Sequence, residues 1–239
     1  MLNFPSFRGA TRQLVLWNLG VYFLLLILGV FASGTAAAMQ AILVLTPDLV
    51  LHHGFVWQLV TYSFVNAGIL STAFALISLW SLGGFLESMY GSRWLLEIYF
   101  VSVVGAALCG LVLSLVVPPV MPLYSAWGGI FGLMIVWGVQ FGEQETMMFP
   151  LPVTFKAKYI VWIWMLVAAA MLFSEMHLFA IAELGGALFG YVYIKFAPKR
   201  GFTAAASEGM YGMRNQYYRW KRRQAAKKFE VYMRKRKDN

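Results

Sequence analysis

The residues of this sequence best placed to do chemistry are three carboxylates inside long apolar runs: Glu87, Glu97 and Glu183. An ionisable group within a membrane span is costly, so each is a functional candidate by default. Glu87 and Glu97 lie close to span boundaries, beside Arg93. Their placement predicts an interfacial ion pair or a helix-end cap. Glu183 is different, with Ala, Leu and Gly on both sides and no cation near it in sequence. It must face the interior of a bundle, where burial should leave it either protonated or strongly hydrogen-bonded. A proton relay would need several such groups, and this run has one. His52 and His53 are adjacent, and adjacent histidines rarely point at one ion; no third ligand is near, so neither a metal site nor a cofactor is expected. The single cysteine, Cys109, excludes an intrachain disulfide framework.

The elements that must position these groups follow from composition. The 239 residues are 60% hydrophobic and 12% charged, with a mean hydropathy of +0.67. A soluble domain carries about 25% charge and 45–50% apolar residues. This chain has too little polar surface for a water-soluble globule, and disorder, coiled coil and collagen are excluded with it. Six apolar runs are long enough for transmembrane helices: about 13–34, 68–88, 94–117, 124–142, 156–174 and 176–197. The first follows Arg8 and Arg12 and reads as a retained anchor, because its apolar core exceeds a signal peptide's. The second holds Ser71, Thr72, Ser78 and Ser81, which predicts a place inside the bundle.

Six spans put both termini on one side. With that side inside, Arg8, Arg12, Arg93, Lys156, Lys158, Lys195 and the whole tail fall inside, and the outer segments contain no Lys or Arg. The first outer loop, about 35–67, is too apolar for a solvated loop. It reads as a partly embedded element with Trp57 and Tyr62 as interface anchors.

Two Gly-x-x-x-Gly patterns sit in the fourth and sixth runs. Gly128 and Gly132 follow Trp127, and Gly186 and Gly190 follow Glu183. Such glycines let helix backbones approach closely, so these spans should pack together with Trp127 and Glu183 near the seam. The indole N–H of Trp127 is then the natural donor to Glu183.

Four stretches in order resemble the rhomboid intramembrane serine proteases, over roughly residues 10–197. Trp57-Gln58-Leu59-Val60-Thr61 is similar to the family's Trp-Arg/Gln-x-x-Thr segment. Leu79 to Glu87, followed by Gly91-Ser92, resembles its second-span exit. Ser125-Ala126-Trp127-Gly128-Gly129-Ile130-Phe131-Gly132 lines up with Gly-x-Ser-Gly-x-x-x-Gly, and Ala182-Glu183-Leu184-Gly185-Gly186-Ala187-Leu188-Phe189-Gly190 with Ala-His-x-x-Gly-x-x-x-Gly. The resemblance implies an all-α fold, a six-helix membrane bundle with a partly embedded first outer loop, and a site in which a span-four serine is activated by a span-six histidine.

At those two positions this sequence has Trp127 and Glu183. The family's second-span His-x-x-x-Asn falls on Ser71 and Ala75, and its outer-loop histidine on Asn66. An indole offers no nucleophile, and a hydroxyl without a base to take its proton is a poor one. Ser125, two positions before Trp127, should project from another side of the chain. The resemblance therefore implies a pseudoprotease that is not an enzyme and binds transmembrane helices of client proteins. The alternatives are an active intramembrane endopeptidase with rearranged residues, and a tether acting through its tail.

That tail carries the basic charge. Residues 198–239 hold 13 Lys and Arg against 3 Asp and Glu, whereas residues 1–197 hold 6 against 7. The expected organisation is a membrane domain over 1–200 and a basic cytoplasmic tail over 201–239, helical over 214–236. Arg219, Lys221, Arg222, Arg223, Lys227, Lys228, Arg234, Lys235 and Arg236 alternate with aromatics. Anionic lipid headgroups are the expected partner, ahead of nucleic acid, because the tail is tethered within reach of the inner leaflet. A bacterial cytoplasmic membrane, with both termini cytoplasmic, is the expected location.

Overall fold

A computed structural model of the chain describes residues 7–117, 121–147 and 154–196. The tail, with its expected helix and its basic residues, lies outside them. Each of the six apolar runs is a helix: α1 (Gly9–Phe31), α5 (Ile69–Tyr90), α6 (Ser92–Ser114), α7 (Trp127–Phe141), α8 (Ala157–Met171) and α9 (His177–Phe196). By length and composition α1, α5, α6 and α9 can each cross a bilayer, while α7 and α8 are shorter apolar helices of 15 residues. In hydrocarbon every backbone N–H and C=O must be paired within the protein, and a helix does this within one segment.

Burial divides the bundle. α7 is enclosed along most of its length, from Gly128 to Met134 and again at Val136 and Trp137. It packs against α6, where Gly128, Gly129 and Gly132 lie on Ala106, Tyr99 and Ser102, and against α9. α1 and α8 form the periphery. Leu16, Trp17, Phe23, Ile27 and Val30 of α1 are exposed, as are Trp162, Ile163 and Leu166 of α8. Such surface suits acyl chains. The serine-bearing α5 is not the enclosed helix its composition suggests. It exposes Ile69, Leu70, Phe74 and Ile77, and Ser71 and Ser81 are exposed as well. Thr72 is buried, and its hydroxyl donates back to the Gly68 carbonyl at 2.7 Å. A hydroxyl satisfied by its own helix needs no bundle interior.

The first outer loop is mostly helical, with α2 (Ser33–Leu43), α3 (Pro47–His53), α4 (Gln58–Thr61) and a 3₁₀ turn at Tyr62–Phe64. The last carbonyls of a helix have no partner within it. Here the Trp-Gln-x-x-Thr segment supplies them. Trp57 Nε1 donates to the Ile42 carbonyl at 3.2 Å, Gln58 Nε2 to Ala41 at 3.1 Å, and Thr61 Oγ1 to Leu43 at 2.8 Å. Gln58 also accepts the Thr46 amide at 3.0 Å. Paired bonds between Leu45 and Leu123, both 2.9 Å, join this loop to the approach of α7. Tyr62 is not an interface anchor. It is buried, and its hydroxyl donates to the Val103 carbonyl of α6 at 2.8 Å.

Between α7 and α8 the chain forms a short antiparallel pair, β1 (Glu145–Met147) with β2 (Thr154–Lys156). Glu143 at its base pairs with Lys156 at 2.9 Å and also with Lys158. These bonds, led by that from Lys158, push the exposed Glu143 carboxyl down to about 2. Glu143 raises Lys156 in turn.

The six described cations share one end of the bundle. The start of α1 meets the end of α5 through Glu87. Phe85 packs on Phe141 at the end of α7, with ring centroids 4.9 Å apart. Tyr90, Trp94 and Tyr193 form a continuous aromatic contact from α5 through α6 to α9. Arg8, Arg12, Arg93 and Lys195 lie on or beside these segments, and Lys156 and Lys158 lie in β2 and at the start of α8, where both pair with Glu143 just after α7.

Candidate functional site

At the opposite end, α5, α7, α8 and α9 surround a cavity of about 180 Å³ lined by Ala67, Ser71, Met121, Tyr124, Ser125, Trp127, Met171, Met176, Phe179 and Glu183. It forms there because α7 and α9 are pinned together deeper in the bundle. A side chain on Gly186 would strike the Gly128 carbonyl, and one on Gly190 would lie 2.7 Å from the Gly132 carbonyl. A side chain on Gly128 would lie 2.7 Å from Ala106 Cβ and 2.9 Å from the Tyr62 hydroxyl. Backbone contact along this seam fixes the helix starts, and these carry Trp127 and Glu183 to one cavity wall.

No hydrogen bond joins those two side chains. The Trp127 indole instead stacks on Trp164 of α8, with centroids 5.5 Å apart and planes at 28°. Phe131, one turn along α7, meets both rings edge-on. Stacked or edge-to-face aromatic pairs contribute about 0.5–1.5 kcal/mol beyond the area they bury. That three-ring cluster holds the indole toward α8. Glu183 is left with no hydrogen-bond or ion-pair partner among the described residues, contrary to the sequence expectation.

Ser125 also departs from expectation, because it lines the same cavity as Trp127. Its φ of +119° turns it inward. L-residues rarely adopt such a conformation, at a cost of roughly 1–3 kcal/mol. In the motif quoted above, Ser125 stands at the first glycine of Gly-x-Ser-Gly, where that conformation is free of strain. Its hydroxyl donates to Asn66 Oδ1 at 3.3 Å, and the Ala126 amide reaches the same oxygen at 3.4 Å. Asn66 donates to Asn18 Oδ1 at 2.9 Å, and Asn18 to the Leu14 carbonyl at 2.9 Å. This buried amide chain links α1 to the start of α7. The sequence carried a signal for it that went unread, an asparagine inside the first apolar run.

The remaining candidates are dispersed. Ser71 lines the cavity without a hydrogen bond, and Ala75 is buried away from it. Glu87 makes no ion pair with Arg93. It caps α1, accepting the Ala10 amide at 2.7 Å, the Thr11 amide at 2.9 Å and the Ser92 hydroxyl. Glu97 accepts the Tyr193 hydroxyl at 2.7 Å. His52 pairs with Asp48 at 2.9 Å, exposed in the outer loop. Among the described residues no cluster of His, Cys, Asp or Glu has the arrangement of a metal site.

The fold is that of a multi-pass helical membrane protein with a small, mostly apolar cavity at one end that Glu183, Ser71 and Ser125 also line. A family model of the Rhomboid domain matches residues 53–200, more than half of the chain. The chain belongs to the rhomboid family, whose members are typically intramembrane serine proteases. Comparison with curated proteins finds no match.

Proposed function

We propose that this chain is a rhomboid pseudoprotease, which holds transmembrane helices of other membrane proteins without cleaving them. One observation carries the reading. At the position aligned with the family's nucleophile the side chain is an indole, packed against Trp164 and Phe131. A tetrahedral intermediate needs a nucleophile, a base within reach of its proton, and donors for the oxyanion. The aligned positions hold Trp127, Glu183, Ser71 and Ala75, and no hydrogen bond pairs Ser125 or Ser71 with Glu183. The fold that would admit a helix is retained, with α5 and α8 flanking the cavity.

In this reading the protein sits in a bacterial cytoplasmic membrane with its cationic end and both termini in the cytoplasm, as the positive-inside rule implies. The basic tail rests on anionic headgroups of the same leaflet. The test is incubation of the reconstituted protein with a panel of transmembrane substrates, scoring cleavage and photo-crosslinking together. Crosslinking without cleavage is expected. Cleavage that Ser125→Ala abolishes would establish a rearranged protease instead.

A further inference from the structure

Glu183 is a carboxyl without a partner among the described residues, whose lysines and arginines are all at the other end. It borders a cavity lined by two kinds of group: the aromatic rings of Tyr124, Trp127 and Phe179, and the hydroxyls of Ser71 and Ser125. His177, at the same end, does not line the cavity. Carboxylate, aromatic faces and hydroxyls together make a receptor for an organic cation. The carboxylate supplies counter-charge, the ring faces attract the cation through their quadrupoles, and the hydroxyls accept its N–H bonds. An isolated carboxylate at membrane depth is costly, and that cost falls when a cation enters.

Resting on the helix-binding reading above, we propose that the cavity selects client helices carrying a basic side chain, a lysine above all, which enters between α5 and α8 to pair with Glu183. The size fits. About 180 Å³ holds several waters at about 30 Å³ each, hence one alkylammonium chain, but not a helix about 10 Å across. The depth fits too. Glu183 is seven residues into α9, roughly 10 Å below its outer start at 1.5 Å per residue. A lipid ammonium at the headgroup would have to drag its phosphate to that depth. A lysine carried on a neighbouring helix reaches it sideways. A transmembrane cation is itself expensive in lipid, so the pairing relieves both partners at once.

The experiment uses the full chain in phosphatidylglycerol vesicles. The probe is a Leu/Ala helix of roughly 20 residues bearing a diazirine, with either Lys or Met placed at the depth of Glu183. Wild-type protein should give about tenfold more adduct with the Lys helix, the ratio expected for a modest buried charge pair. Glu183→Gln should erase the preference. Glu183→Lys should reverse it toward a helix bearing Glu, which keeps the test independent of any folding defect in the first variant. Equal adducts with Lys and Met helices, or a Lys preference that survives Glu183→Gln, would overturn cation selection while leaving helix binding intact. No adduct with either helix, from protein shown folded by circular dichroism, would overturn both. If phosphatidylethanolamine in the vesicles abolishes the Lys preference while adducts persist, the cavity takes a lipid ammonium, and the proposal of a client lysine falls.

Discussion

The two ends of this bundle treat a partly buried carboxylate in opposite ways. At the cationic end, Glu87 is surrounded by donors: two amides from the first turn of α1 and the Ser92 hydroxyl. The amides are among those a helix leaves unpaired at its start, where the helix dipole also favours a negative charge. At the other end, Glu183 meets rings, methionines and two hydroxyls in a cavity, and bonds to none of them. One carboxylate closes a joint between helices and the other is left available. A satisfied polar group inside a membrane protein reads as architecture; an unsatisfied one beside a cavity reads as a place for something else.

The glycine seam beneath the cavity is where this contrast is easiest to destroy. Gly186→Val would drive a branched side chain into the Gly128 carbonyl, which is backbone and cannot rotate away. Overpacking a tight core costs about 1–3 kcal/mol and sometimes more. Here α7 and α9 must separate, so the effect should lie at the upper end or beyond. Unfolding in detergent micelles should show this as the largest loss in the set. A Gly186→Val protein as stable as wild type would mean the seam does not hold the cavity open.

Next comes the cap. Glu87→Ala removes the acceptor from two amides and a hydroxyl. Hydrogen bonds to a charged group contribute about 1.5–3 kcal/mol each when buried, less where water can replace the acceptor. Because Glu87 is only partly buried, about 2 kcal/mol is expected, read in the same micelle unfolding assay. Amide exchange should accelerate at Ala10 and Thr11 first. Glu183→Gln should behave oppositely. With no bond to lose and a buried charge removed, stability should stay within about 0.5 kcal/mol of wild type or rise. If Glu183→Gln cost as much as Glu87→Ala, Glu183 would be structural and the contrast would fail.

The sequence made one side of this comparison legible and not the other. Six hydropathic runs locate six helices because hydrocarbon leaves a spanning chain few choices, and charge placement orders them. Glu87 reads as a possible cap because it lies near a helix end with a basic neighbour. Its two amide donors, 76 and 77 residues away, are set by packing. Tyr62 looks like an interface ring by composition, since aromatic type alone does not say whether a phenol reaches lipid headgroups or a carbonyl such as that of Val103. Trp127 and Glu183 sit on one wall as the two glycine patterns imply. The partner of the indole was invisible, because Trp164 is one apolar residue in an apolar run until α8 is laid against α7. The turn at Ser125 was hidden for a different reason. A serine announces no positive φ, and only the neighbouring glycine-rich pattern hints at one.

The smallest effect belongs to the surface pair between α7 and α8. Glu143 binds Lys158 and Lys156, and its carboxyl is pushed down to about 2 from an ordinary 4.5. A depressed carboxylate contributes stability that is fully present above its unfolded value and is lost as pH falls through the folded one. The window is therefore about pH 4.5 down to 2. Glu143 is fully exposed, and solvent and salt screen such pairs strongly. The contribution should be small and should shrink further in high salt. Thermal midpoints of wild type and Glu143→Gln, measured at low salt, should differ slightly at pH 7 and converge as the pH approaches 2. The glutamine variant should lack this component of acid sensitivity, while both proteins keep whatever acid response Glu87 adds. A large difference at pH 7 that persists in high salt would show that the β1–β2 joint carries weight in the bundle, and that the cationic end is held by more than the Glu87 cap.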